Sequence, residues 1–125
     1  MNIERVEVFG YDLTYVHGRF VMSTGREVES LPTKLIRDLA VALGLRLTIE
    51  DTWGGDVITA AVSHLAASTP PETLFTVSFM NEWTHEHIGG YQPRPQLGVG
   101  SAPIGAGLGI EVDPQMLGAP LFAVG

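Results

Sequence analysis

The middle of the chain alternates between short apolar runs and helical patterns, and this alternation constrains the fold more than any other feature. Leu45–Glu50 and Leu74–Met80 are apolar runs typical of buried strands, and residues 57–65 between them have helical spacing. A helix that connects two strands of one sheet favours a parallel, right-handed crossover. The sequence therefore predicts a strand–helix–strand unit of an α/β sheet.

A second helical pattern precedes this unit. Pro32 fits the first turn of a helix, and Gly44 fits the position just after its end. Between the first central strand and the next helix, Gly54 and Gly55 predict a turn, with Asp56 as the helix N-cap.

The two ends of the chain predict further strands. Residues 3–16 alternate between apolar and polar side chains with a slip at Gly10, and Arg26–Leu31 would pair with them as a long-looped hairpin. Ile110–Val112 and Leu121–Val124 predict short terminal strands.

Composition limits the classes of function. A chain of 125 residues has room for one domain, and its net charge of -7 disfavours a nucleic-acid or anionic-membrane partner. The absence of cysteine excludes disulfides and thiolate catalysis and fits a cytoplasmic protein. The N-terminus lacks the apolar core of a signal peptide, and no apolar run approaches the ~18 residues of a membrane-spanning helix.

Polar and aromatic residues follow the first central strand, where parallel α/β proteins place their chemistry. The acids Glu50, Asp51 and Asp56 could bind a cation or an ammonium group there. The indole of Trp53 could present its face to a cation. The alternative is a helix cap with a tryptophan that covers the turn. Spacing alone leaves both interpretations open.

The histidines offer a weaker possibility. His85 and His87 follow the second central strand, with acids nearby, and could bind a transition metal. No H-E-x-x-H pattern supports that site, and a solvated loop is the alternative. His64 lies on the apolar side of its helix and is predicted to be a packed histidine.

Several segments together resemble a known family. IEDTWGGDVITAAVSHLAASTPPETLFTV, residues 49–77, is similar to the seventh strand, seventh helix and eighth strand of an enolase-superfamily barrel. The resemblance is to the mandelate racemase and muconate lactonizing enzyme group. Within that group, EDTWGGD and TAAVSHLAASTPP resemble the branch that acts on proline-type substrates, the proline betaine epimerases and cis-3-hydroxyproline dehydratases.

Three consecutive segments, which together span the chain, each resemble a part of the same family. Residues 1–37 resemble the first hairpin of its capping domain, including the mobile loop that closes over the active site. Residues 38–81 resemble the last helix–strand–helix–strand segment of the barrel. Residues 82–125 resemble a C-terminal loop and tail that pack on the hairpin. The expected fold is α/β or α+β, a capping-domain-like hairpin plus a terminal βαβ piece of a (β/α)-barrel, in one compact unit.

The resemblance implies a reaction and also an obstacle to it. The family removes a proton next to a carboxylate, using a divalent metal, normally magnesium, held by three carboxylates, and two lysines as acid and base. This sequence has one lysine, Lys34, which the resemblance places in the hairpin, and no counterpart of the carboxylate segment. A barrel alone takes ~250 residues. We expect an internally deleted member, joined near Arg37–Asp38, that does not catalyse the reaction alone and holds no cofactor.

The part of the family site that the resemblance places in this chain is an edge that would contact a small proline-like amino acid or betaine. Trp53 would face the ring nitrogen of the substrate in a cation–π contact. The expected contacts are Asp51, Trp53 and Asp56 after the seventh strand, with Tyr15, His17 and Met22 near the closing loop.

Two alternatives to an enzyme-derived site stay open. The first is a non-catalytic binding or assembly module, a homo-oligomer for instance, that pairs through exposed strand edges. The second is a small metal protein that uses His85 and His87.

Overall fold

The structure is a computed structural model that describes residues 6–8, 33–51 and 53–124. Its strands and helices, in chain order, are β1 (Val6–Val8), α1 (Thr33–Ala42), β2 (Leu47–Ile49), α2 (Gly55–Ala67), β3 (Leu74–Val77) and β4 (Phe122–Val124), with two 3-10 helices at Met80–Trp83 and Pro114–Met116. The predicted strand Arg26–Leu31 and the candidate residues Tyr15, His17 and Met22 lie outside the described residues.

The predicted strand–helix–strand unit is confirmed. β2 and β3 are parallel, α2 connects them, and their register pairs Thr48 with Thr76 and Ile49 with Val77. The main chain extends the pairing by one bond, in which the Ser78 amide donates to the Ile49 carbonyl across 3.1 Å. Both strands therefore end at the same edge, and the segments that follow them start side by side.

A small apolar core lies between α2 and this pair of strands. Its members are buried side chains from β2 and α2 with partly buried neighbours: Ile49, Val62 and Ala66, surrounded by Leu47, Ile58, Leu65, Leu74 and Val77. α2 packs against β3, and α1 packs against β2.

The guanidinium of Arg37 links α1 to the end of α2 through hydrogen bonds. Its Nη1 donates to the Ser68 carbonyl across 3.2 Å and to the Ser68 hydroxyl across 3.1 Å. The predicted boundary between residues 37 and 38 thus falls inside α1, and the division into three segments stays a prediction.

One part of the β3 prediction is wrong, because Leu74–Met80 is not a fully buried strand. The strand ends at Val77, and the ring of Phe75 is 68% exposed. Hydrophobicity gives the preference of a side chain for burial, but burial also needs a covering layer. The guanidinium of Arg46 lies 5.3 Å from the centre of the Phe75 ring and leaves most of that ring exposed.

The two ends of the described chain pair with each other. β1 is antiparallel to β4, with Val6 opposite Val124 and Val8 opposite Phe122. The terminal strand predicted at Leu121–Val124 is confirmed, whereas the strand predicted at Ile110–Val112 is wrong. Residues 110–112 form no strand pairing. The amide of the next residue, Asp113, donates a hydrogen bond to the Ile88 carbonyl in a loop. The capping-domain character of these ends stays a prediction.

Within the described ranges, no helix combines the length and the apolar character needed to cross a membrane.

Candidate functional site

Trp53 stands at the turn between β2 and α2 in an unusual backbone conformation. Its φ is 64°, in the left-handed region that residues other than glycine rarely adopt. The Trp53 amide donates to Asp51 Oδ1 across 3.0 Å, which fixes this turn. The indole meets that of Trp83 edge to face, with ring centres 5.2 Å apart and planes at 70°. Strained backbone of this kind tends to occur at functional sites.

Asp51 joins the carboxyl ends of the two parallel strands. Besides the Trp53 amide, its carboxylate accepts a hydrogen bond from the Thr59 hydroxyl and one from the Met80 amide at 3.2 Å. The Asp51 amide in turn donates to the Ser78 hydroxyl across 2.8 Å. The carboxyl group is buried, and desolvation raises its pKa above the ordinary value, while the hydrogen bonds from Thr59 and the main chain act in the opposite direction.

The prediction that Asp56 caps α2 is wrong. Gly54 occupies the N-cap position, and no side chain forms a capping hydrogen bond there. α2 begins at Gly55, whose φ of 61° lies in the left-handed region that glycine adopts readily. Asp56 is therefore already in the first turn of the helix, where a negative charge is favoured by the helix dipole. Its side chain instead accepts hydrogen bonds from the segment that follows β3.

The Asp56 carboxylate, 1% exposed, organises the chain after β3. Oδ1 lies 2.9 Å from the Asn81 side-chain nitrogen and 3.3 Å from His87 Nδ1. Oδ2 accepts hydrogen bonds from the Gly89 amide at 2.9 Å and the Tyr91 amide at 3.2 Å. Four partners thus surround one carboxylate, which fixes the segment from Asn81 to Tyr91 against the start of α2.

The two acids belong to one connected group, which we call the buried polar network: Asp51, Thr59, Asn81 and Asp56. The Thr59 hydroxyl donates to Asp51 and accepts from the Asn81 amide at 3.3 Å, and the Asn81 side chain donates to Asp56. All four side chains are buried. Sequence reasoning missed Thr59 and Asn81. The signal for Thr59 was available, since it follows Asp56 by three positions and so shares its helix face.

The three described histidines have different surroundings. His87 stacks on the Tyr91 ring with centres 4.1 Å apart, while His85 is exposed. His64 is partly buried, and its Nε2 lies 3.0 Å from the Leu108 carbonyl oxygen. Across the described residues, no three histidine, aspartate or glutamate side chains are grouped as metal ligands.

Comparison with known proteins gives the context of this site. The family model described as "Enolase C-terminal domain-like" matches residues 31–116. A cis-3-hydroxy-L-proline dehydratase of Roseibium aggregatum is 43% identical over 88 residues, which are 70% of this chain and 24% of that protein.

Solved structures give the same result. A mandelate racemase/muconate lactonizing enzyme from Roseovarius nubinhibens ISM has 34% identity and a TM-score of 0.64, over 70% of this chain and 24% of that one. An enolase-superfamily member from the same organism, complexed with magnesium, has 32% identity and a TM-score of 0.66, over 72% and 25%. The chain spans about a quarter of the length of these relatives.

The acids of the described site do not fit a magnesium ion. Magnesium needs several oxygen ligands, including carboxylates with free lone pairs. Both oxygens of Asp51 and both of Asp56 already accept hydrogen bonds from protein N–H or O–H groups. A magnesium ion held by these residues would have to displace those hydrogen bonds.

The family model covers more than half of the chain, and the two solved relatives have 32–34% identity and TM-scores of 0.64–0.66 over 70–72% of it. The chain therefore belongs to the enolase superfamily, in the mandelate racemase/muconate lactonizing enzyme group.

Proposed function

We propose that this chain carries the substrate-contacting edge of an enolase-superfamily site for a proline-type amino acid or betaine. The observation that carries the proposal is Trp53, held in a left-handed backbone directly after β2. It stands where the strands of parallel α/β proteins end and their ligands bind. Support for the substrate class comes from the relative in Roseibium aggregatum, which is a dehydratase of cis-3-hydroxy-L-proline.

In this proposal the face of the Trp53 indole receives the positively charged nitrogen of the ligand. A cation–π contact contributes about 0.5–1 kcal/mol when exposed and about 2 kcal/mol when desolvated. Asp51 holds the turn at Trp53, Asp56 holds the segment after β3, and both carboxylates add negative charge nearby, which favours a cationic ligand. Tyr15, His17 and Met22 would contact the ligand from the closing loop.

The parent reaction is a metal-assisted removal of the proton next to the substrate carboxylate, which leads to epimerisation or dehydration. Two opposed bases are needed to work on both faces of that carbon. The sequence contains a single lysine, Lys34, so this chain cannot supply a lysine pair. We propose that it binds the ligand class without turning it over.

Two measurements test the proposal. The purified chain is titrated with proline betaine and followed by NMR, and its turnover of proline betaine and cis-3-hydroxy-L-proline is assayed with magnesium. We expect saturable binding that Trp53→Ala weakens by up to about 30-fold, the equivalent of a desolvated cation–π contact of about 2 kcal/mol, and that Phe75→Ala, at an exposed ring on β3, leaves unchanged. Turnover by the unaltered chain, or equal affinity in Trp53→Ala, would refute the proposal.

A second candidate function, an assembly module, is favoured by a specific surface. Leu39 and Leu43, on and just after α1, are 57% and 62% exposed. α1 packs on β2, whose second edge has no strand beside it in the part of the chain that the structure describes. Apolar surface next to an open strand edge favours pairing with another chain.

Sedimentation at several concentrations tests this second candidate. An assembly module associates as concentration rises, and the double variant Leu39→Lys and Leu43→Lys suppresses the association without unfolding the chain. The exposed Phe75→Ala variant is the control for a general loss of apolar surface. A chain that stays monomeric throughout would eliminate the candidate.

A further inference from the structure

The two tryptophans of this sequence form a single pair at the site. Trp53 follows β2, and Trp83 ends the 3-10 helix that follows β3. Their rings meet at 70° with centres 5.2 Å apart, and Trp83 is 43% exposed. The pair therefore brings two aromatic surfaces together at the carboxyl ends of both strands.

One carboxylate anchors both halves of the pair. Asp51 Oδ1 accepts a hydrogen bond from the Trp53 amide, and Asp51 Oδ2 accepts one from the Met80 amide, at the first residue of the helix that carries Trp83. A further bond from the Asn81 amide to the Thr59 hydroxyl holds the same helix against α2. The angle between the indoles thus depends on main-chain segments that the buried polar network fixes.

We propose that Trp83 orients the Trp53 indole and supplies a second aromatic wall, so that the pair selects ligands with an alkylated ammonium nitrogen. This inference rests on the proposed function and adds a selectivity to it. The left-handed backbone at Trp53 fixes the direction of its Cα–Cβ bond. The orientation of the indole plane then depends on the side chain next to it. Trp83 is the neighbour that meets this ring edge to face.

The ligand preference follows from the chemistry of ammonium groups. A quaternary nitrogen carries its positive charge among carbon-bound hydrogens, is weakly hydrated, and packs on aromatic faces. The secondary ammonium of proline and the primary ammonium of glycine keep increasing numbers of N–H donors, so they retain more water and make directed hydrogen bonds instead. Two aromatic walls that meet at an angle contact an alkylated nitrogen from two sides. Proline betaine should therefore bind more tightly than proline, and proline more tightly than glycine.

The first experiment measures the pair in the absence of ligand. Two interacting indoles give a characteristic couplet in circular dichroism, and no other tryptophan in this chain contributes to it. We expect the couplet in the unaltered chain and its loss in Trp83→Ala and Trp83→Phe. Phe75→Ala, which alters another exposed ring, should keep it. An unaltered chain without the couplet would overturn the pairing on which the orienting role depends.

The second experiment measures affinity for proline betaine, proline and glycine by NMR titration. Trp83→Ala should weaken the binding of proline betaine about tenfold and leave glycine nearly unchanged, whereas Trp83→Phe, which keeps an aromatic wall, should restore most of the loss. Equal losses for all three ligands, or no loss for any, would overturn the role of Trp83. If the unaltered chain binds none of them, the proposed function fails and the ligand preference fails with it, while the couplet still tests whether the two indoles pair.

Discussion

The side-chain amide of Asn81 donates to Asp56 Oδ1 across 2.9 Å, and both side chains are buried from solvent. This bond joins the first turn of α2 to the segment after β3. The second link, from Asp51 through the Thr59 hydroxyl to the Asn81 main chain, runs beside it. Since a buried polar group that loses its partner is costly, these links should control whether the candidate site forms.

Asp56→Asn should destabilise the chain by about 2–3 kcal/mol. The new amide group cannot accept from all four donors, and its hydrogens would face the Asn81 amide or the main-chain amides of Gly89 and Tyr91. Urea unfolding gives the measurement. Glu111→Gln, at an exposed acid, is the matched control and should stay within about 0.5 kcal/mol. Equal midpoints for the two variants would contradict this role of Asp56.

Gly89→Ala should cost more than Gly90→Ala, for different physical reasons. A Cβ at Gly89 would lie 2.9 Å from the Asp56 Cβ and 3.0 Å from a methyl carbon of Ile110, so the tight packing must shift, at about 2 kcal/mol. Gly90 has open space but a φ of 68°, so alanine there costs only about 1 kcal/mol of backbone strain. Unfolding midpoints of the two variants compare these costs, and the reverse order would argue against close packing at Gly89.

Thr59→Val keeps the shape of the side chain and removes its hydroxyl. The Asp51 carboxylate then loses a donor, and the Asn81 amide loses its acceptor in a buried place. We expect a loss of about 2 kcal/mol in the free energy of unfolding. Thr76→Val, at an exposed threonine of β3, should change it by less than about 0.5 kcal/mol. If the two valine variants are equally stable, Thr59 does not link the two acids.

The fold of the central unit could be predicted from the sequence because its signals are local. Apolar runs and helical spacing within a few residues indicated β2, α2 and β3, and the position of Asp51 and Trp53 after β2 followed from that order. The extent of burial could not be predicted in the same way. Phe75 is apolar in a strand, but its exposure depends on which layers surround the sheet.

The partners of Asp56 could not be predicted either. Asn81, Gly89 and Tyr91 lie 25, 33 and 35 positions later in the chain. Short-range rules offered Asp56 the role of a helix cap, which it does not have, or that of a cation-binding side chain, and neither role indicates these distant partners. A carboxylate that binds distant main-chain amides leaves no periodic pattern in the sequence, so the buried polar network became visible only in three dimensions.

Asp51 should give the stability of the chain an unusual dependence on pH. Desolvation raises the pKa of its carboxyl group above the ordinary value of 3.8, against the opposing hydrogen bonds from Thr59 and the main chain. The folded state therefore holds this proton more tightly than the unfolded state. The contribution of Asp51 to stability is complete below pH 3.8 and declines as the pH rises through the raised pKa.

Asp51→Asn isolates this contribution, because asparagine does not titrate and the other acids are common to both proteins. The free energy of unfolding, measured in urea at a series of pH values, should fall for the unaltered chain relative to Asp51→Asn as the pH rises above 3.8. Above the raised pKa the difference should become constant. A difference that instead grows in favour of the unaltered chain with rising pH would mean that the hydrogen bonds to the Asp51 carboxylate outweigh its desolvation. The anchor of both tryptophans would then be most stable in its charged form.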